Sequence, residues 1–265
     1  MDNNSALWDS LWKNSSGKMR HLIYSVHEEE HGPVWVQIKA ALEQKFDSIS
    51  GLNVIEVGAG SGTYGAIFAR QGAKVTVLDY SENALQISKD LYESLGIDAT
   101  FVLADALSIS DDLKGKYDVS MSFGLAEHFS DQQRLQIIRS HFELLKPNGM
   151  TFISVPNLAC WPYRLWKYRR TVTGKWNFGM EIPYGRKELS EISKTLRVKD
   201  YSFFGSSFWA SFNFVLPFRR WRNSYVKRFQ KHKWLNIETL KQKTPGLLDS
   251  HFGYALIYAA VKDSA

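Results

Sequence analysis

Apolar positions along this chain follow two rhythms. Near the start, Ser5–Lys13 sets Leu7, Trp8, Leu11 and Trp12 at i, i+1, i+4 and i+5, the stripe of an amphipathic helix. A polar break at Asn14–Gly17 follows, then Tyr24–His31 with its acidic run Glu28–Glu30. Gly32-Pro33 opens a second helix, with Val34, Trp35, Ile38, Ala41, Leu42 and Phe46 on its apolar face. From Asn53 the rhythm shortens. Buried-strand patterns over 53–57, 74–78, 99–103, 117–122 and 150–155 alternate with helical patterns over 63–70, 81–95 and 131–145. Ser81 is placed to cap one of these helices and Gly96 to stop it, and Pro147-Asn148-Gly149 ends the third. Strand and helix in turn predict an α/β fold with a doubly wound, mostly parallel sheet. Its ligands belong at the carboxyl ends of the strands.

Beyond Pro156 the character changes. Residues 157–185 mix seven aromatic rings, among them Trp161, Tyr163 and Tyr184, with Arg164, Lys167, Arg169, Arg170 and Lys175. A helix is expected over 187–196 and a strand over 197–204. The nearly uncharged stretch 206–218 runs into a basic cluster, Arg219 to Lys233, that holds no acidic residue. Tyr254–Val261 closes the pattern as a strongly apolar strand. One domain is expected in three parts: an N-terminal helical cap over 1–50, a nucleotide-binding core over 51–155, and over 156–265 a lid with substrate insertions and the remaining core strands.

Composition narrows the setting. The 265 residues are 44% hydrophobic, enough for one large core. A single cysteine, Cys160, excludes a disulfide framework and a Cys-rich zinc site, which fits a reducing compartment. No signal-peptide pattern opens the chain, and no apolar run approaches the roughly 18 residues of a spanning helix. A cytoplasmic protein is expected, with peripheral attachment to a membrane where the basic insertion allows it. The net charge of +6 points to an anionic partner.

The chemistry starts at 53–65, NVIEVGAGSGTYG. Strand, glycine turn and helix form the first unit of a nucleotide-binding sheet. Gly58 and Gly60 are followed by Thr63 where a dinucleotide fingerprint needs its third glycine, and Gly62 comes one residue early. The G-x-G-x-G spacing after the acidic Glu56 resembles motif I of the class I S-adenosylmethionine-dependent methyltransferases, in their type 11-like group. Asp79 ends the second strand, where a carboxylate can accept both hydroxyls of a ribose. The surrounding VTVLDYSENALQIS resembles the family's motif II, which implies that the Tyr80 ring packs near the adenosine. FVLADA, 101–106, resembles the motif whose acid, here Asp105, accepts from the adenine amino group, with the Ala104 or Ala106 amide placed to address a ring nitrogen. SFGLAEHF, 122–129, resembles the turn beneath the methionine part of the cofactor.

The resemblance covers about 34–155, and 254–261 loosely. It implies a Rossmann-like methyltransferase fold of seven strands, the last inserted antiparallel beside the fifth, with aromatic and basic insertions after strands five and six. The implied cofactor is S-adenosyl-L-methionine, held by Glu56, Gly58, Ala59, Gly60, Gly62, Thr63, Asp79, Tyr80, Asp105, Ala106 and Phe123.

Methyl transfer from a sulfonium asks mainly for positioning and exclusion of water, with a base where the nucleophile carries a proton. His128 is the candidate base, since imidazole titrates near neutrality. Glu127 is placed to orient it or to bind a metal. Leu125-Ala126 stands where some quinone-forming relatives carry an additional carboxylate, so no metal is expected. Tyr24, His27, His21, Trp161, Tyr163 and Tyr184 are further candidate substrate contacts, a structural role being the favoured reading of each. The acceptor is expected to be a small or lipid-like molecule, methylated at oxygen. A catalytically silent nucleotide-binding subunit and an RNA methyltransferase remain as alternatives. Nucleic acid is disfavoured because Phe123-Gly124-Leu125-Ala126 replaces an N-P-P-Y type motif. For the insertion at 206–233, an anionic membrane surface, a nucleic-acid surface and a plain packed lid all stay open.

Overall fold

A computed structural model describes residues 5–13, 19–206, 208–211, 214–215 and 247–264. Three helices come first: α1 (Ser5–Lys13), α2 (Met19–Glu30) and α3 (Pro33–Lys45). The core then runs β1 (Asn53–Val57), α4 (Thr63–Arg70), β2 (Lys74–Asp79), α5 (Glu82–Leu95), β3 (Thr100–Leu103), β4 (Tyr117–Phe123), a 3-10 turn (Ala126–His128), α6 (Asp131–Leu144) and β5 (Leu145–Pro156). Next come α7 (Trp161–Val172), α8 (Arg186–Thr195), β6 (Tyr201–Gly205), short helical segments Phe208–Ser211 and Leu247–Phe252, and β7 (Ala255–Val261).

The strands form one seven-stranded sheet in the order β3-β2-β1-β4-β5-β7-β6. β1 to β5 are parallel, and β7 runs antiparallel to both β5 and β6. The parallel strands are those the alternation predicts, and β7 takes the antiparallel place beside β5 that the resemblance to the Rossmann-like methyltransferase fold implies. Side chains of adjacent strand residues serve opposite faces. Val54 joins a core with Ile38, Leu42 and Phe68 of the helices on one side, while Ile55 joins Ile137, Ile138 and Leu189 on the other. Helices on both faces explain why the strands read as continuous apolar runs. Phe68 and Phe152 are completely buried, and each such ring stabilises the fold by about 1.5–3 kcal/mol.

The structure corrects four readings of the sequence. The segment before Gly32 is itself a helix, α2, so the helix at Pro33 is the third. Its acidic C-terminal turn opposes the helix dipole. Partners from the core offset this: Arg70 lies 3.1 Å from Glu30, and the Tyr64 hydroxyl donates to Glu29 at 2.7 Å. Second, β5 starts at Leu145, upstream of the Pro147-Asn148-Gly149 turn, with its register against β4 shifting between Tyr117 and Val119. Third, residues 161–172 form α7, where the aromatic and basic composition hides a helical stripe. The strand expected from Arg197 begins at Tyr201, because Arg197 itself has a φ of 59°. The basic cluster 219–233 lies outside the described residues, as do 207, 212–213 and 216–218.

Candidate functional site

The loop after β1 is shaped by its own backbone. Gly58, Gly60 and Gly62 all have positive φ, between 56° and 68°. At Gly60 a side chain would also run into the indole of Trp12, so glycine is required there twice over. The loop is tied down from α5: the Ser88 hydroxyl donates to the Gly60 carbonyl at 2.7 Å and the Tyr92 hydroxyl to that of Gly62 at 3.2 Å. Glu56, 3% exposed, accepts the Gly65 N–H at 2.6 Å and so fixes the first turn of α4 from below. Burial raises its pKa to about 8, although the Gly65 and Tyr64 amides pull the other way.

Asp79 closes the loop on the other side. One carboxylate oxygen accepts the Gly60 N–H at 2.8 Å, the other the Ser81 N–H at 2.9 Å. Burial raises its pKa, opposed by these amides. A carboxylate has about four acceptor positions, so two amides leave room for hydroxyl donors. Asp105 accepts the Leu107 N–H at 2.9 Å and stays exposed at the cavity rim. Phe123 stacks flat on Tyr64, with centroids 3.5 Å apart and planes 6° apart.

These groups surround a cavity of about 790 Å³ at the carboxyl ends of β1, β2 and β4. Of the residues expected to hold a cofactor, Glu56, Gly58, Ala59, Gly60, Thr63 and Asp79 line it. Tyr80, Asp105, Ala106 and Phe123 line it as well. Gly62 does not; it faces Ser88 and Tyr92 behind the loop. The volume lies within the range of cofactor pockets. Sequence reasoning did not single out Trp8, Trp12, Glu29, Tyr64, Leu125 and Met180, which line it too. The i, i+4 pair Trp8 and Trp12 was visible as a helical stripe. That this stripe covers the glycine loop is decided by packing across the chain, including the Ser81 hydroxyl donating to Asp9 at 2.8 Å.

His128 lines the same cavity. Its Nδ1 lies 2.7 Å from the Met180 carbonyl. A carbonyl only accepts, so Nδ1 carries the proton and Nε2 is the basic nitrogen of the neutral ring. Burial lowers the pKa of the ring, the Met180 carbonyl and Glu181 raising it in opposition. Trp8 packs edge-on against it at 4.6 Å. The 3-10 turn beneath is stitched to the insertion: Ile182 N–H donates to the Glu127 carbonyl at 2.7 Å, and Tyr184 Oη donates to that of Ala126 at 3.3 Å. Arg134 clamps the same insertion through Glu188 at 2.7 Å and stacks over Tyr184 at 3.6 Å.

Glu127 lies apart from His128's cavity, on a second one described below. The candidate substrate residues are not gathered at the first cavity. Tyr24, His21 and His27 are exposed on α2, and His27 packs on His31. Trp161 is exposed at the start of α7. Tyr163 is buried and donates to Glu181 at 2.7 Å, and Tyr184 lies beneath Arg134.

The sheet order, the glycine loop and the acid at the end of β2 define a nucleotide-binding α/β protein with its crevice at the strand ends. Residues 54–149 match the family model described as a methyltransferase domain. A ubiquinone biosynthesis O-methyltransferase from Coxiella burnetii is 30% identical over 148 residues, covering 55% of this chain and 57% of that protein. Another so named, from Vibrio campbellii, is 32% identical over 114 residues, covering 43% and 48%. The chain thus spans about half the length of the curated relatives it matches. The structure of magnesium protoporphyrin IX methyltransferase from Synechocystis PCC 6803, with S-adenosylhomocysteine bound, superposes with a TM-score of 0.53 at 16% identity, covering 93% of this chain and 84% of that one. Residues 54–149 are a methyltransferase domain, in the fold of the class I S-adenosylmethionine-dependent methyltransferases.

Proposed function

We propose that the protein methylates an oxygen atom of a small-molecule or lipid-like acceptor, with S-adenosyl-L-methionine as donor. The observation that carries this reading is the convergence of Gly58, Gly60, Asp79, Asp105 and His128 on one cavity. The residues present fit the cofactor. Asp79 would take the ribose hydroxyls, Asp105 and the Ala106 amide the adenine edge, and the glycine turn the methionine end. When bound, the donor supplies a methyl carbon made electrophilic by its sulfonium. The chain's own part is to position and to dry the site. Trp8 and Trp12 cover the cavity, the Tyr64–Phe123 stack walls it, and His128 Nε2 receives the proton of the acceptor hydroxyl. Calorimetry with the donor and with S-adenosylhomocysteine is the test. Micromolar binding of both, together with transfer of labelled methyl to a component of a cell extract, is expected. Absence of binding by either ligand would overturn the reading, and binding without any transfer would favour a silent subunit.

A membrane face belongs to the same proposal. Among the described residues no helix is long and apolar enough to cross a bilayer. On α7, however, Trp161, Leu165, Tyr168 and Val172 are spaced by four, three and four residues and are 47–66% exposed. Residues 157–180 carry five Lys and Arg and no acid. An apolar stripe with cationic flanks suits the headgroup region of an anionic leaflet, where a cytoplasmic enzyme would meet a lipid-like acceptor. The protein is expected to float with phosphatidylglycerol vesicles at low salt and to be released at high salt. Changing Leu165→Glu and Tyr168→Glu together should abolish flotation. Equal recovery with neutral vesicles, or no effect of the double change, would remove α7 from membrane contact.

A further inference from the structure

A second cavity, of about 440 Å³, lies beside the first at the ends of β5 and β7. Four residues, Glu29, Tyr64, Phe123 and Gly124, line both and form the partition between them. The walls of the second are largely apolar: Val34 and Pro33 of α3, Pro156 of β5, Ala255 of β7, and the rings of Phe214 and Tyr254. Among the described residues lining it there is no Lys, Arg or His. Two carboxyl groups line it. That of Glu29 is bonded to the Tyr64 hydroxyl. That of Glu127 is 4% exposed, and its Oε2 is enclosed without any hydrogen-bond partner.

An orphaned buried carboxyl oxygen costs free energy unless a partner arrives. The walls say what that partner is. A ring system is the occupant that aromatic and proline surfaces favour, and the volume takes one or two fused rings. Among the described residues, an anionic group would meet carboxyl groups and no cation. A strongly basic amine would have to ionise a carboxyl that is buried away from water.

We infer that this second cavity is the acceptor pocket and that the Glu127 carboxyl donates a hydrogen bond to an oxygen of an uncharged, phenol-like acceptor. The word acceptor rests on the methyl-transfer reading above. Burial raises Glu127 to about 8, with Glu181 adding to the shift and Lys167 and Arg134 opposing it, so the group is a neutral donor at pH 7. Its neighbour on the 3-10 turn, His128, faces the first cavity, so the acceptor's reacting oxygen belongs where the two chambers adjoin at Phe123 and Gly124, with Glu127 donating from one side and His128 accepting from the other. Selection is then against charge: acceptors carrying a free carboxylate or phosphate near the reacting ring are excluded.

The test is calorimetry on the full chain saturated with S-adenosylhomocysteine, with 4-methylphenol and 4-methylbenzoate as probes. The phenol should bind at least tenfold more tightly than the benzoate. Glu127→Leu should weaken the phenol at least tenfold. Glu127→Gln, which keeps a donor of the same reach, should retain it within about threefold. Ala255→Phe, which fills the cavity, should abolish it. Affinity for S-adenosylhomocysteine should stay within about twofold in every variant and so report an intact fold. Equal binding of phenol and benzoate, no effect of Glu127→Leu or Ala255→Phe, or a loss in Glu127→Gln as deep as in Glu127→Leu would each overturn the inference. The last result would mean that the anion is what the site uses. Should the wild-type protein bind the phenol through Glu127 and yet not bind S-adenosylhomocysteine, the methyl-transfer reading fails while the pocket stands.

Discussion

Asp79→Ala is expected to weaken binding of S-adenosyl-L-methionine by ten- to a hundredfold in calorimetry. Two losses combine. The first is direct: a hydrogen bond to a charged acceptor contributes about 1.5–3 kcal/mol, and about 1.4 kcal/mol is a factor of ten. The second acts through the loop. Asp79 is the acceptor for the Gly60 and Ser81 amides, so the substitution frees the glycine turn and the start of α5 at once. Asp79→Asn separates the two. Its amide oxygen can still accept one backbone N–H, and the loop keeps most of its shape, but the charge facing the ribose is gone. It should therefore fall between the wild type and Asp79→Ala. Equal affinity in all three proteins would show that the donor does not meet this carboxylate, and the cofactor assignment would fail with it.

The parallel half of the fold was legible because its information is local. Each of the first five strands is an apolar run of the right length, and each turn carries the glycine, serine or acid its geometry needs. Ser81 does accept the Ala84 N–H at 3.2 Å, and Gly96 does stop α5 with a φ of 64°. The apolar run at 254–261 read as a strand, and the resemblance implied its antiparallel place beside β5. The elements that escaped depend on partners far along the chain. α2 ends in three glutamates, an unfavourable ending until Arg70 and Tyr64 arrive from α4. α7 is masked by its own composition, since its exposed aromatic residues resemble neither a core stripe nor a polar surface.

The site divides in the same way. The glycine loop, Asp79 and Asp105 announce themselves by spacing, because the main chain must pass close to a ligand at fixed offsets from a strand end. The walls do not. Trp12 lies on Gly60 only because α1 packs against α5, and Met180 reaches His128 only because the insertion folds back across the 3-10 turn. Tyr163 and Tyr184 could be read as substrate contacts or, more simply, as packing residues. In the structure they hold that insertion in place, Tyr163 through Glu181 and Tyr184 through the Ala126 carbonyl. Aromatic residues in a lid are ambiguous in sequence because packing a lid and packing a ligand ask for the same surfaces.

His128→Ala should lower turnover by about a hundredfold or more, the usual contribution of a positioned general base, while affinity for S-adenosyl-L-methionine changes by less than about threefold. The alanine also strips Met180 of its donor and Trp8 of its packing partner, so a second variant is needed. In His128→Asn the side-chain amide can donate to Met180 from the position of Nδ1 but has no basic nitrogen. Turnover should stay as low as in His128→Ala; recovery toward wild type would make His128 a positioning residue. The pH profile gives an independent reading. Because burial lowers the pKa of His128 below its ordinary 6.5, the ring is already neutral at pH 7. Protonation removes the base, so kcat should fall with decreasing pH only below about 6.5. At the other end, Glu127 loses its proton near 8, which places an anion among Tyr254, Glu181 and Lys167 beside the acceptor. The rate should therefore decline above pH 8 as well, and Glu127→Gln should remove the alkaline limb while leaving the acid limb of His128 in place. An acid limb that persists in His128→Asn would assign the base to another group.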